Sequence, residues 1–69
     1  MGPSHRDYLA AHAPQDVCNN IMGNNVQDIA EFLDMDPDDY VDDFHYLAAY
    51  TKAAYIYADA MIETSKGLP

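Results

Sequence analysis

From Asp38 to Lys66 the chain runs without a proline or a glycine, in a protein of only 69 residues. The start of this stretch carries a dense set of helix-initiation signals. Asp36 suits the N-cap, Pro37 the first helical position, and Asp38 and Asp39 the first turn, where the helix dipole favours negative charge. The stretch therefore predicts one C-terminal helix of about 28 residues, near 42 Å at 1.5 Å per residue. Whatever else the chain forms has to pack against that rod. At 100° per residue, Asp38, Asp42, His45, Lys52, Asp59 and Glu63 make a polar stripe. Phe44, Leu47, Ala48, Thr51, Ala54, Tyr55, Ala58, Met61 and Ile62 lie opposite, and Tyr46, Tyr50, Ala53 and Tyr57 widen the apolar arc past half the circumference. A surface helix needs an apolar stripe only a little over 100° wide. The surplus implies either that the rest of the chain wraps around the rod or that a second copy packs on it.

The preceding residues read as three short helices. Ser4-His5-Arg6-Asp7 has the form of a capping box, with Asp in place of the usual Glu or Gln. The helix it opens stops before Pro14, because the residue before proline avoids the helical region. Pro14 fits the first position of a second helix carrying Val17, Cys18 and Ile21 on one face, with Gly23 as its left-handed cap. Asn25 caps a third, in which Val26, Ile29, Ala30 and Leu33 recur at i, i+3, i+4 and i+7. The expected fold is all-α: helices over residues 5–12, 14–22 and 26–34 packed on a long one over 37–65, within one domain spanning 1–69 and without strands.

Size and charge narrow the function classes. Sixty-nine residues make one domain at most. Half the residues are apolar, which is globular composition. The single cysteine, Cys18, excludes an internal disulfide, and a lone thiol suits a reducing cytoplasm. No segment approaches the roughly 20 apolar residues of a membrane span, and Met1 to Asp7 lacks the apolar core of a signal peptide. The net charge of −9 is large for so small a chain. It repels anionic membranes and bare nucleic acid, whose phosphates call for Lys and Arg. It points instead to a basic partner, or to no partner at all.

Eight of the twelve acidic residues fall between positions 28 and 43: Asp28, Glu31, Asp34, Asp36, Asp38, Asp39, Asp42 and Asp43. No Lys or Arg occurs between Arg6 and Lys52. Capping accounts for Asp36, Asp38 and Asp39. On a continuous helix, Asp38/Asp42 and Asp39/Asp43 would be like-charge i,i+4 pairs, each costing a few tenths of a kcal/mol. Two carboxylate rows advancing four residues at a time would give roughly one charge per 3 Å of axis. Duplex DNA carries one per about 1.7 Å. Such a surface competes for the Lys and Arg of a nucleic-acid-binding groove. The alternative is a solvated face that serves capping and solubility. The candidate partner-binding residues are Glu31, Asp34, Asp38, Asp39, Asp42 and Asp43, with Tyr46, Tyr50 and Tyr57 at the edge of the apolar arc. Tyrosine is enriched at interfaces, and the same three residues could equally roof the core.

Catalytic and metal readings are weaker. Asp34, Asp36 and Asp38 match the opening of a calcium-binding EF-hand loop, yet Asp39 stands where that loop needs glycine and His45 where it needs a bidentate Glu. His5, His12 and His45 have no zinc spacing. Cys18 and His12 lack a third orienting group, which favours a buried structural cysteine. The expectation is a protein without enzymatic activity, metal or cofactor. The segment Val26 to Pro37 resembles the first helix and turn of the helix-turn-helix DNA-binding family. The would-be recognition helix opens Asp38-Asp39-Tyr40-Val41-Asp42-Asp43, which phosphates repel.

In size, acidity and the Asp28–Asp43 run, the chain resembles small phage-encoded inhibitors of the anti-CRISPR and anti-restriction type, some of which mimic DNA. That resemblance implies a non-enzymatic inhibitor acting in the host cytoplasm. Its partner would be a CRISPR–Cas or restriction complex whose basic nucleic-acid-binding site it blocks, without direct contact to nucleic acid or membrane. The alternative is a structural or regulatory module that self-associates, for instance as a homodimer, through its long helix.

Overall fold

A computed structural model describes residues 4–67. Among them the chain forms four α-helices and no strand: α1 (His5–Ala11), α2 (Gln15–Met22), α3 (Val26–Phe32) and α4 (Phe44–Lys66), with a single 3-10 turn at Pro37–Asp39. The long C-terminal helix packs against the three shorter ones, and the architecture is the expected all-α bundle. At 23 residues, α4 is about 34 Å long and sets much of the 45 Å long dimension.

The three short helices begin as their caps require. The Ser4 hydroxyl accepts from the Asp7 backbone N–H at the head of α1. Pro14 is the N-cap of α2 rather than its first residue, with its carbonyl taking the Cys18 N–H at 3.0 Å. The Asn25 side chain accepts from the Asp28 N–H at the head of α3. Gly23 closes α2 at φ 92°, ψ 169°, a region that only glycine occupies freely. A Cβ there would lie 2.5 Å from the Cβ of Asp28, so Gly23 also sets how closely α3 follows α2.

The fourth helix starts at Phe44, seven residues later than the initiation signals suggested. Asp36 does cap, accepting from the Asp38 N–H at 2.9 Å, but it opens only a 3-10 turn. An α-helix through this segment would set Asp38 over Asp42 and Asp39 over Asp43 with no cation within reach. The chain instead turns Tyr40 onto the core and restarts. The His45 Nδ1 accepts from the Val41 N–H at 2.6 Å and ties the turn to the new helix. The missing second helix also removes the helix-turn-helix, since α3 leads into a turn and not into a recognition helix.

The core is built from small side chains. Ala10, Cys18, Met22, Ile29, Ala30, Ala49, Ala53, Ala54 and Ala58 are buried, and Met22 and Cys18 are the largest side chains fully enclosed. Alanines along α4 let the short helices approach closely, and Tyr46, Tyr50 and Tyr55 flank the seam half-buried. The buried side of α4 is thus centred on Ala49, Ala53, Ala54 and Ala58, not on the Phe44–Leu47–Ala48–Thr51 stripe, which stays exposed. The short helices cover only part of the apolar arc.

Polar contacts fasten the ends of α1 and α3 to α4. Arg6 forms a two-pronged ion pair with Asp59 at 2.7 and 3.2 Å and lies over the Tyr55 ring at 4.4 Å. The Tyr55 hydroxyl donates to Asp7 at 2.6 Å. Lys52 donates to the Phe32 carbonyl at the end of α3 at 2.6 Å, where the helix dipole welcomes a cation. The Tyr55 hydroxyl, and then Ser4, hold the Asp7 carboxyl below its ordinary value; Arg6 does the same for Asp59. Both carboxylates stabilise the fold above the ordinary carboxylate range, and that contribution is lost as pH falls through their depressed values. Asp7 in turn raises the Tyr55 phenol, whose contribution is present below the ordinary phenol value and lost as pH rises through the raised one. Tyr55→Phe is expected to flatten both limbs of the melting-temperature profile against pH. An unchanged profile would show that this contact contributes nothing.

Candidate acidic surface

The acidic run divides into two groups. Asp28, Glu31 and Asp34 line an open groove of about 490 Å³ with Gln27, Met35 and Pro37. Asp28 and Glu31 also border a neighbouring groove of about 450 Å³ on the α2 side, beside Met22, Gly23 and Phe32. Helical spacing brings these three carboxylates to one face of α3 and its C-terminus. Asp38, Asp39, Asp42 and Asp43 occupy the 3-10 turn and the link to α4, all exposed. They do not form the two helical rows expected of them, so the regular spacing of one charge per 3 Å is absent. Asp42 and Asp43 stand just ahead of α4, where its dipole favours them.

Two of these aspartates hold unusual backbone. The end of α3 is a Schellman motif: the Met35 N–H bonds to the Ala30 carbonyl at 2.9 Å and the Asp34 N–H to the Glu31 carbonyl at 3.1 Å. Asp34 takes the left-handed position, φ 58°, that normally belongs to glycine or asparagine. Its charge also sits at a helix C-terminus, where the dipole opposes it. Asp43 has φ 60° and ψ −55°, with the Phe44 N–H bonded to the Asp42 carbonyl at 2.6 Å, the γ-turn of the rarer and more strained hand. Neither feature was visible in the sequence, because both residues fall inside the helices expected over 26–34 and 37–65. Asp34→Gly is expected to raise stability by about 0.5–1 kcal/mol, measured by urea unfolding. A loss of stability would show that the Asp34 side chain makes a contribution its exposure does not reveal.

Among the described residues no Lys or Arg forms an ion pair with the run. Among the described residues the ion pair is Arg6–Asp59, away from the run, and Lys52 is bonded to a carbonyl. Local hydrogen bonds engage Asp28, which accepts from the Asn25 amide, and Asp36, which caps the 3-10 turn. Glu31, Asp34, Asp38, Asp39, Asp42 and Asp43 are exposed and belong to no ion pair among the described residues.

The tyrosines are placed differently from the acids. The Tyr46 hydroxyl donates to Asn19 of α2 at 3.4 Å, and its ring lies 6.2 Å from that of Tyr50. Burial, and secondarily Cys18, raises the Tyr50 phenol. Tyr46 and Tyr50 are half-buried against the core, and Tyr57 is half-buried further along α4. Tyr46 and Tyr50 roof the core, and Tyr57 is not among the residues packed on it. Exposed large apolar side chains that the sequence did not single out for binding are Tyr8, Val26, Val41, Phe44, Leu47, Ile56 and Met61, and the over-wide apolar arc was the signal for Phe44, Leu47 and Met61.

Cys18 is wholly buried while His12 is exposed and stacks on Tyr8 at 4.4 Å, so the two do not form a nucleophile–base pair. Among the described residues no three His, Cys, Asp or Glu side chains converge on a metal position, and no helix is long and apolar enough to cross a membrane. The fold and surface define a small acidic all-α bundle. Compared with known families, curated proteins and solved structures, the chain matches none.

Proposed function

We propose that this chain is a non-enzymatic binding protein whose acidic surface occupies the basic nucleic-acid-binding site of a partner, blocking it. The observation that carries this reading is the set of six exposed carboxylates on α3 and the following turn without an ion pair to the chain's own Lys or Arg. The net charge of −9 extends that field over the whole molecule and speeds encounter with a basic groove. The resemblance in size and charge to phage-encoded inhibitors suggests a CRISPR–Cas or restriction complex as the partner and the host cytoplasm as the setting. The division of the run into a groove and a turn favours competition by charge over a linear copy of the phosphate spacing. The decisive experiment captures the partner from the source cell and titrates this protein against a labelled duplex bound to it. Displacement of the duplex is expected. Simultaneous binding of duplex and protein would overturn the reading. Self-association through α4 is the second reading, favoured by the exposed Phe44 and Leu47, and light scattering separates the two.

A further inference from the structure

The side of α4 that α1 covers near Tyr55 and Asp59 continues, uncovered, toward the start of the helix. α1 is seven residues long, about 10 Å, against about 34 Å for α4. It ends at Ala11 because Pro14 turns the chain into α2. Where α1 stops, Ala10, Ala11, Thr51 and Ala54 border an open groove of about 300 Å³. Beyond Thr51, the residues one and two turns back on the same face are Ala48, Leu47 and Phe44, and Val41 precedes them in the turn. Phe44, Leu47 and Val41 are 68%, 64% and 58% exposed. Scattered apolar residues are ordinary on a surface; a stripe continuing a packed helical seam is not.

We infer that this stripe docks an amphipathic helix of the partner whose apolar ridge is flanked by Lys or Arg. Charge decides between occupants. Asp42 and Asp43 immediately precede Phe44, and Asp7 borders the groove at the other end. A second copy would bring another net −9 against the first, whereas a basic helix is drawn to the same border. α1 itself shows the mode, since it packs Ala10 against α4 and pairs Arg6 with an α4 carboxylate. The inference rests on the proposed function and adds an apolar anchor beside the acidic surface, of the kind that carries most of the energy in an interface.

The test uses synthetic peptides and the full chain. One peptide has a Leu/Ala face flanked by Lys; one keeps the face and replaces Lys by Glu; one keeps Lys and replaces Leu by Ser. The first is expected to bind saturably, with amide shifts centred on Phe44 to Thr51, and at least about tenfold more tightly than either control. Phe44→Ser with Leu47→Ser should weaken it by about tenfold or more, with an unchanged melting curve because both residues are exposed. Equal binding of the Ser peptide, equal binding by the variant, or no saturation overturns the inference. So does a wild-type dimer that the same variant dissociates, since a second copy would then be the occupant. If the variant binds the peptide normally while the captured partner still yields its duplex, the docking stripe fails and the proposed function stands. If the peptide binds as expected but the partner holds duplex and protein together, the proposed function fails and the stripe stands.

Discussion

Replacing Asp38, Asp39, Asp42 and Asp43 together by Asn is expected to weaken binding to the basic partner by about two orders of magnitude. Exposed charge pairs contribute roughly 0.2–1 kcal/mol each, so four reach about 2–3 kcal/mol when they act in one direction on one basic site. The same change reduces the chain's net charge from −9 to −5, since four negative charges are removed. Self-repulsion falls accordingly, and the loss of dipole contacts ahead of α4 offsets part of that gain. Asparagine also tolerates the positive φ of residue 43. The variant should therefore fold at least as well as the wild type by circular dichroism while binding poorly. This separation of stability from binding is what a surface charge with a functional role produces. A variant that binds normally reduces the run to capping and solubility.

Gly23→Ala is expected to have the largest effect on the fold. An alanine at φ 92°, ψ 169° is strained by about 1–3 kcal/mol before any contact is counted. Its Cβ would also meet the Asp28 Cβ at 2.5 Å, which forces α3 to shift relative to α2. The core has little reserve to absorb that shift, because its fully enclosed side chains are mostly alanine, with Met22 and Cys18 the largest. Domains of about this size have stabilities near 3–5 kcal/mol from a single core, so a loss of about 2 kcal/mol or more brings the chain close to unfolding at ambient temperature. Urea unfolding of the two proteins measures this directly. Equal midpoints would mean that the α2–α3 junction is loose enough to rebuild.

The sequence revealed what local rules control. Ser4, Asn25 and Gly23 mark their helix ends because capping is a property of a few adjacent residues, and the alternating breakers made the all-α architecture legible. The start of α4 lies later than its local signals for a physical reason: Asp36, Pro37, Asp38 and Asp39 are good initiation signals, but the next turn would have stacked like charges. Tyr40 found burial and Val41 a cap from His45 instead. The site was legible only in part. Exposure of the carboxylates followed from charge alone. Their division between a groove and a turn did not, because it depends on the left-handed residue at Asp34 and the γ-turn at Asp43. The width of the apolar arc on α4 was plain, but which part stays uncovered depends on where Pro14 ends α1.

Binding driven by the exposed carboxylates is electrostatic, and the slope of affinity against salt tests it most directly. For the wild-type protein and its captured partner, log affinity should fall steeply and linearly as log salt concentration rises, because each exposed carboxylate that pairs with a partner cation is screened over a Debye length of about 10 Å at 0.1 M. The four-Asn protein should show a visibly shallower slope. An affinity that stays level from low to high salt in the wild type contradicts the account.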